Sequence, residues 1–487
     1  MGGCFSKPKP VEVKVELSLL EKEKDVDGLS PNGKASPFAD CRPNGALGHG
    51  SDDDSTPPPL YHKARDYVEA SVCHVKDLEN GQMREVDLGS GRALLIKEHG
   101  EFSAMAHKCP HYGAPLVKGV LSKGHVRCPW HGACFDIATG DLEDFPGLDS
   151  LPTFQVTVPA SAVLTHSLTS VINSSSGFSH VLIIGSGPAG LVCAETLRQE
   201  GFTDRIVMCT KDRHPPYDRP KLSKSLESTA EQLRLRSMDF LQDHDIELLV
   251  DKEAVSIDVK TRSVTFEDGS RMEYKKLFII EQHYVLVIYF LFAQLKEVVL
   301  KSGKVLRADV CVIGAGSIPA TGFLKQSGIH MDSRGFITVN KMMQTNADGV
   351  FAGGDVVVFP FPPRHNKKVN IPHWQMAHVH GRVAALGMMG RPADLKTVPY
   401  FWSAMFGKTI RYAGYGDGFD DVIIQGDLDE LRFVAFYTRG EEVVAVASMN
   451  YDPIVSRVAE VLGSGKTIRK RDVETGDISW LIDKGPQ

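Results

Sequence analysis

The 487-residue sequence has no run of 18 or more apolar residues, so no segment is long enough to cross a bilayer as a helix. Its nine cysteines are too few for a disulfide framework at this length, and two stand in metal-ligand spacing, so a reducing compartment is expected. Basic charge is not in excess either. A net charge of -6 argues against nucleic acid as a partner. The apolar content is ample for real cores, and the length allows about three domains.

What is present is grouped at a few places. Residues 1–6 read MGGCFS, the pattern for myristoylation of Gly2 after removal of Met1. One acyl chain binds membranes marginally, so Cys4 is the expected second anchor, with Lys7 and Lys9 adding attraction to anionic lipid. The alternative is a chance match in a disordered tail. Glu12, Glu16, Glu21 and Glu23 argue against a transit peptide. The expected partner is a membrane surface, reached from the cytosolic side, with mitochondrial membranes among the candidates. Residues 25–59 are dominated by Gly, Pro, Ser and Asp, and residues 1–60 are expected to be a disordered tail.

Residues 64–165 follow a different pattern, with short alternating strands at 67–75, 83–88 and 93–97. Two loops interrupt them, CPHYGAP at 109–115 and CPWHGACFD at 128–136. Together they offer Cys109, His111, Cys128 and His131 as metal ligands. Zinc suits two Cys and two His equally well. Structural zinc sites usually group like ligands, however, whereas each loop here pairs one Cys with one His and is followed by Gly113 or Gly132. Cys134 reads as a small packed residue and Trp130 as a lid over the bound group.

Residues 166–179 read as a Ser-rich linker, and then comes HVLIIGSGPAG at 180–190. An apolar run, then Gly185, Gly187 and Gly190, then a helical pattern is the order a dinucleotide site requires. The glycines allow the turn, the approach of a pyrophosphate and close helix packing, and the helix N-terminus faces the phosphates. The next strand ends at Thr210, where an acid would hold ribose, with Asp212 two residues on. YDRPKLSK at 217–224 and TNADGVFAGGD at 345–355 follow.

The two cluster loops resemble a Rieske-type [2Fe–2S] domain. That resemblance implies Cys109 and Cys128 on one iron, with His111 and His131 on the other. Ala114 and Trp130 occupy the positions of the disulfide found in respiratory Rieske domains. This implies the ferredoxin-like branch, with a potential toward about -150 mV. Over residues 1–276 and 296–487 the chain resembles the ferredoxin-reductase and apoptosis-inducing-factor group of FAD-dependent pyridine nucleotide oxidoreductases. The resemblance implies an electron-transfer enzyme in which NAD(P)H reduces FAD and single electrons pass to the [2Fe–2S] centre and an unidentified acceptor. A non-catalytic role in cell-death signalling is the alternative.

By the same resemblance Asp355 binds the flavin ribityl chain, and Arg219 and Lys224 lie along FAD with Lys224 near N5 as the catalytic residue. His373 and Trp374, in IPHWQMA at 371–377, open a helix that faces the flavin ring. The implied fold is multidomain. An all-β Rieske domain precedes a Rossmann-like α/β FAD-binding domain in two halves, 180–276 and 295–395, and an α+β C-terminal domain at 396–487. The C-terminal domain is expected to contain strands at 421–426, 431–438 and 443–448 and a helix at 453–462, and homodimerisation is an expectation carried with it.

Two patterns are read as decoys. Asn370, His373 and His378 imitate a non-haem iron site, but Asn370 supplies no carboxylate. VIGAG at 312–316 lacks a third glycine, Pro319 standing there, and matches a strand returning to the flavin domain. The main departure is at 277–294, where relatives insert a complete NAD(P)H-binding domain of about 100 residues. Here an apolar segment with no charge from 284 to 293 takes its place, too short to span a bilayer. NAD(P)H is therefore a family cofactor whose site is missing from this sequence.

Overall fold

The computed structural model describes residues 12–17, 68–157 without Ser90, 180–280 without Ser223 and Leu226, 296–307, 318–476 without Pro392 and Asp394, and Leu481. Gly2, Cys4, the linker 166–179, the segment 281–294 and the 312–316 sequence lie outside the described residues.

The amino-terminal domain is all strand. Its six-stranded sheet runs Val68–His74, Glu12–Leu17, Thr153–Thr157, Glu101–Ala106, Arg92–Glu98, Gln82–Asp87. Glu12–Leu17 corrects the expectation of a disordered tail through residue 60. It pairs antiparallel with Val68–His74 on one side and Thr153–Thr157 on the other. The sequence EVKVEL alternates polar and apolar residues with period two, the strand pattern, within a segment otherwise rich in charge. A second sheet of four short strands, Val120–Ser122, His125–Arg127, Cys134–Asp136 and Leu142–Asp144, carries the cluster loops.

The flavin domain is built on a parallel sheet in the order Ile246–Leu249, Ile206–Cys209, Val181–Ile184, Lys276–Ile279, Val350–Ala352. Val181 to Ile184 are all buried, as strands covered on both faces must be. Each such side chain stabilises the fold by about 1.5–3 kcal/mol. Lys276–Ile279 sits inside this sheet, between Val181–Ile184 and Val350–Ala352, so the first half of the flavin domain continues past the expected boundary at 276. Leu277, Phe278, Ile279 and Ile280 are buried as the strand and its exit. An apolar run at a domain break looks the same in sequence whether it ends a strand or begins an insertion. Helices Pro188–Gln199 and Trp374–Met388 pack face to face over the sheet. A Cβ on Gly381 would lie 2.3 Å from the Ala189 carbonyl, so only glycine permits that approach.

The C-terminal domain is a five-stranded antiparallel sheet, Tyr400–Met405, Lys408–Gly414, Glu442–Met449, Arg432–Arg439, Asp421–Asp427, covered by helix Ile454–Gly463. The three expected strands and the helix are present with ends moved by a residue or so. Tyr400–Met405 and Lys408–Gly414 were not anticipated, and they are the strands that reach the cluster.

Candidate functional site

The two cluster loops have the same backbone. Cys109 N–H donates to the Ala114 carbonyl at 2.9 Å and Gly113 N–H to the Cys109 carbonyl at 2.8 Å. In the second loop Cys128 N–H donates to Ala133 at 2.7 Å and Gly132 N–H to Cys128 at 3.3 Å. Both follow a C-P-x-x-G-A sequence, and Gly113 and Gly132 take φ of +74° and +78°, which glycine adopts without strain. A side chain at Gly132 would also collide with Tyr400, whose ring lies 2.7 Å from the Cβ position. The loops differ only in which inner position holds histidine, and the two Nδ1 atoms come to 3.2 Å from each other.

Cys109 and Cys128 are 2% and 0% exposed, and their thiols share a hydrogen bond that lowers the pKa of Cys128 and raises that of Cys109. Backbone N–H groups of His111 and Tyr112 point to the Cys109 sulfur, and those of Trp130 and His131 to the Cys128 sulfur. Such donors stabilise a ligating thiolate. Burial pulls the pKa of His111 down to about 3 and that of His131 to about 2, with Lys221 and then His111 and Arg411 adding smaller contributions. Both imidazoles are neutral, the form that binds metal. The donors come as a sulfur pair and an imidazole pair. Among the described residues no three His, Cys, Asp or Glu side chains converge on a single ion. A tetrahedral zinc site needs all four donors on one point, whereas a two-iron cluster takes them two by two. The residues therefore fit [2Fe–2S].

The surroundings of the loops come from the other two domains. The ring of Trp402, in strand Tyr400–Met405, lies 4.7 Å from His131 and 5.8 Å from His111. Trp130 stands further off, at 6.4 Å from His131, and its carbonyl accepts from Arg411 Nε at 2.7 Å. The rings nearest the two histidines are thus Trp402 and Tyr112, the latter 4.3 Å from His111 and 5.2 Å from His131, rather than Trp130. Ser456 Oγ donates to the Cys128 carbonyl at 3.2 Å. Arg127, beside Cys128, is paired with Glu460 and with Asp144 at 3.0 Å, and holds the Gly132 carbonyl at 2.7 Å. Asp144 in turn accepts from Gln375 Nε2 at 3.1 Å and Thr397 Oγ1 at 3.0 Å. On the flavin side, Tyr112 O–H donates to Asp218 at 2.7 Å, and Lys221 lies 5.5 Å from the Tyr112 ring centre.

In the flavin domain Gly185 takes φ of +105°, and a Cβ on Gly190 would lie 2.6 Å from the Gly185 carbonyl. A Cβ on Gly187 would meet only Ile280 Cδ1, at 4.0 Å, so that backbone faces open space. This is a cradle shaped for a pyrophosphate at the start of helix Pro188–Gln199. Thr210 is buried, and Asp212 accepts from Tyr217 O–H at 3.1 Å and Arg219 at 3.4 Å. Lys224 is exposed in the turn after Arg219–Leu222. Asp355 is half-buried, and its carbonyl accepts from Asn370 Nδ2 at 2.8 Å. His373 caps helix Trp374–Met388, with its ring 5.3 Å from Phe401. His378 is fully buried with neither ring nitrogen partnered. Asn370 donates to backbone instead of joining the histidines, so the apparent iron triad is part of the flavin-domain core. Gln375, Asp144 and Trp402 had no sequence signal, since their roles exist only once the domains meet.

Comparison with known proteins gives the same partition. Residues 69–155 match the Rieske [2Fe–2S] domain, residues 179–279 and 292–381 the pyridine nucleotide-disulphide oxidoreductases, and residues 400–479 the reductase C-terminal domain. Apoptosis-inducing factor 3 of Homo sapiens is 52% identical over all of both chains, as is that of Mus musculus. Rhodocoxin reductase of Rhodococcus erythropolis is 24% identical over 55% of this chain and 86% of its own. In fold, the chain is similar to the reductase in a covalent putidaredoxin reductase–putidaredoxin complex, with TM-score 0.56 and 20% identity over 62% of this chain and 97% of that one. The ferredoxin reductase of the CYP199A2 system from Rhodopseudomonas palustris gives TM-score 0.55 and 22% identity over 62% and 98%. The chain is an oxidoreductase with sites for FAD and [2Fe–2S], and it belongs to the apoptosis-inducing factor 3 family.

Proposed function

We propose that this protein moves electrons between FAD and a Rieske centre that stay docked on each other, and that this form takes hydride from NAD(P)H poorly. FAD accepts a hydride and releases its electrons singly, and a [2Fe–2S] centre accepts one. The observation that carries the reading is the bonding of the cluster loops into both other domains, through Tyr112–Asp218, Arg127–Glu460 and Asp144–Gln375. These contacts hold the histidine edge in a fixed orientation, so transfer needs no diffusive encounter. Trp402 and Tyr400 keep water from the ligand loops. Gly185, Gly187 and Gly190 would hold the FAD pyrophosphate, with Asp355 on the ribityl chain and Lys224 at the ring.

The weakness lies in hydride delivery. The human relative needs 606 aligned positions against 487 residues here, and the oxidoreductase match is broken between 279 and 292. Hydride transfer requires the nicotinamide about 3–3.5 Å from the flavin. Among the described residues no second nucleotide fingerprint is available to place it. The test is stopped-flow flavin bleaching with NADH and NADPH, beside photoreduction, which should reduce both centres. Saturable bleaching at the rate of a relative that keeps the insert would refute it.

The same loss favours a second reading, in which the chain acts in cell death through its surfaces, as the names of its relatives suggest. Comparing wild type with Cys109→Ser in cells separates the two: death induced equally by both favours the surface role. Membrane attachment through Gly2 and Cys4 is part of the proposal. Equal membrane fractions for wild type and Gly2→Ala would refute that part.

A further inference from the structure

The flavin and C-terminal domains enclose a cleft of about 620 Å3 that touches none of the cluster ligands or flavin-cradle residues and meets the contacts described above only at Thr397. That volume lies within the range of small-molecule sites, which often form between domains. Its charge is one-sided. Lys341 and Arg364 line one wall, Lys396 the linker at 395–399 that joins the flavin and C-terminal domains, and Arg439 and Lys466 the other wall, against Glu442 as the one carboxylate. In a chain of net charge -6 this is a local reversal of sign. Arg439 stands across the strands from Glu442, which leaves Lys341, Arg364, Lys396 and Lys466 as cations in excess of the cleft's one carboxylate.

The cleft also has an apolar, ring-bearing floor. Phe361 packs edge-on to Tyr415 at 5.6 Å, and the Arg364 guanidinium lies 5.5 Å from the Tyr415 ring centre. Arg364 is held there by the Asp417 carbonyl at 2.6 Å, which orients the side chain without neutralising it. Spread cations over an aromatic floor suit a ligand with several negative charges and a flat ring.

We propose that this cleft binds a phosphate-bearing metabolite of nucleotide size, at a site separate from the flavin cradle. Binding there reaches the redox centre through the linker. Thr397 and Val398 line the cleft, and the same two residues meet Gln375, at 2.8 Å through Thr397 Oγ1 and 3.4 Å through the Val398 carbonyl. Thr397 also holds Asp144 of the Rieske domain. A ligand pulling on the linker therefore changes how firmly the Rieske domain is seated.

The test is calorimetric titration of the full-length holoprotein with ATP and, separately, with inorganic tripolyphosphate, at low salt. Saturable binding of ATP is expected, weaker for tripolyphosphate because the ring contacts are lost. Arg439→Glu/Lys466→Glu should lose at least about tenfold in affinity, with the flavin and cluster spectra unchanged. Lys301→Glu, on the hairpin Glu297–Val299 and Val305–Arg307, should bind as wild type. Absence of saturable binding to the wild type at millimolar ligand, or equal affinity in the doubly reversed variant, would overturn the proposal. If that variant misfolds, Lys396→Gln serves in its place and should still weaken ATP binding; unchanged affinity would overturn it equally.

Discussion

Asp144 is the residue on which docking of the Rieske domain depends most directly. Its carboxylate takes Arg127 at 3.0 Å, Gln375 at 3.1 Å and Thr397 at 3.0 Å, joining all three parts of the chain. Removing one partner of a buried pair costs about 3–5 kcal/mol. Arg127 keeps Glu460, and the Asp144 side chain is 16% exposed, so the expected loss for Asp144→Ala is reduced to about 2–3 kcal/mol. Spread over an undocking equilibrium, that raises the open population by about 30- to 140-fold. The assay is iron release to a soluble chelator, followed by loss of cluster absorbance at neutral pH. When reclosing outruns capture, the rate tracks the open population. Asp144→Asn keeps the acceptor oxygen and should fall between wild type and alanine. Iron release from Asp144→Ala at the wild-type rate would show that the domains are held by something other than this carboxylate.

Three further outcomes are expected. Cys109→Ser should abolish the Rieske-type EPR signal and the two irons and two sulfides per chain that the cluster requires, with flavin retained; stoichiometric zinc without sulfide in the wild type would refute the ligand assignment. Gly190→Ala should purify with little FAD, because the new Cβ would lie 2.6 Å from the Gly185 carbonyl; a wild-type flavin-to-protein absorbance ratio would contradict the cradle. His380 is fully buried, and burial pulls its pKa from 6.5 to about 3 while its Nδ1 accepts from Gly354 N–H at 3.1 Å. Between pH 6.5 and about 3 the folded state holds this ring neutral while the unfolded chain protonates it. Its contribution is therefore present above pH 6.5 and lost as pH falls toward 3, by about 2 kcal/mol at about pH 5. Urea midpoints should fall more between pH 7 and 5 for wild type than for His380→Asn, and equal drops would refute this.

Much of the site was legible because its chemistry is local. Gly185, Gly187 and Gly190 act within one turn, and each cluster loop carries its own Cys, His and Gly, so spacing alone reveals them. Trp402 and Glu460 are different in kind. They lie hundreds of residues from the loops they cover, and nothing in YFWSAM or IVSRVAEVLG distinguishes a docking residue from an ordinary strand or helix residue. The strand Glu12–Leu17 was legible by its alternation but lay in a stretch whose composition otherwise argues against folding. The end of the first flavin half at Ile280 could not be read, because in the sequence the apolar run ending there is followed after three residues by another apolar run at 284–293.

The pairing of Arg127 with Glu460 spans 333 residues, and this separates two events in the life of the chain. At about 5–20 residues per second, a ribosome needs roughly 20–70 s to make the stretch between them. During that interval the Rieske loops are already synthesised, while Tyr400, Trp402, Ser456 and Glu460 do not yet exist to cover them. Access for iron and sulfide is widest then, and it closes when the last domain folds over the loops. The cover over these loops therefore depends on the last residues of the chain to be made, so any truncation before Glu460 leaves Arg127 without that partner.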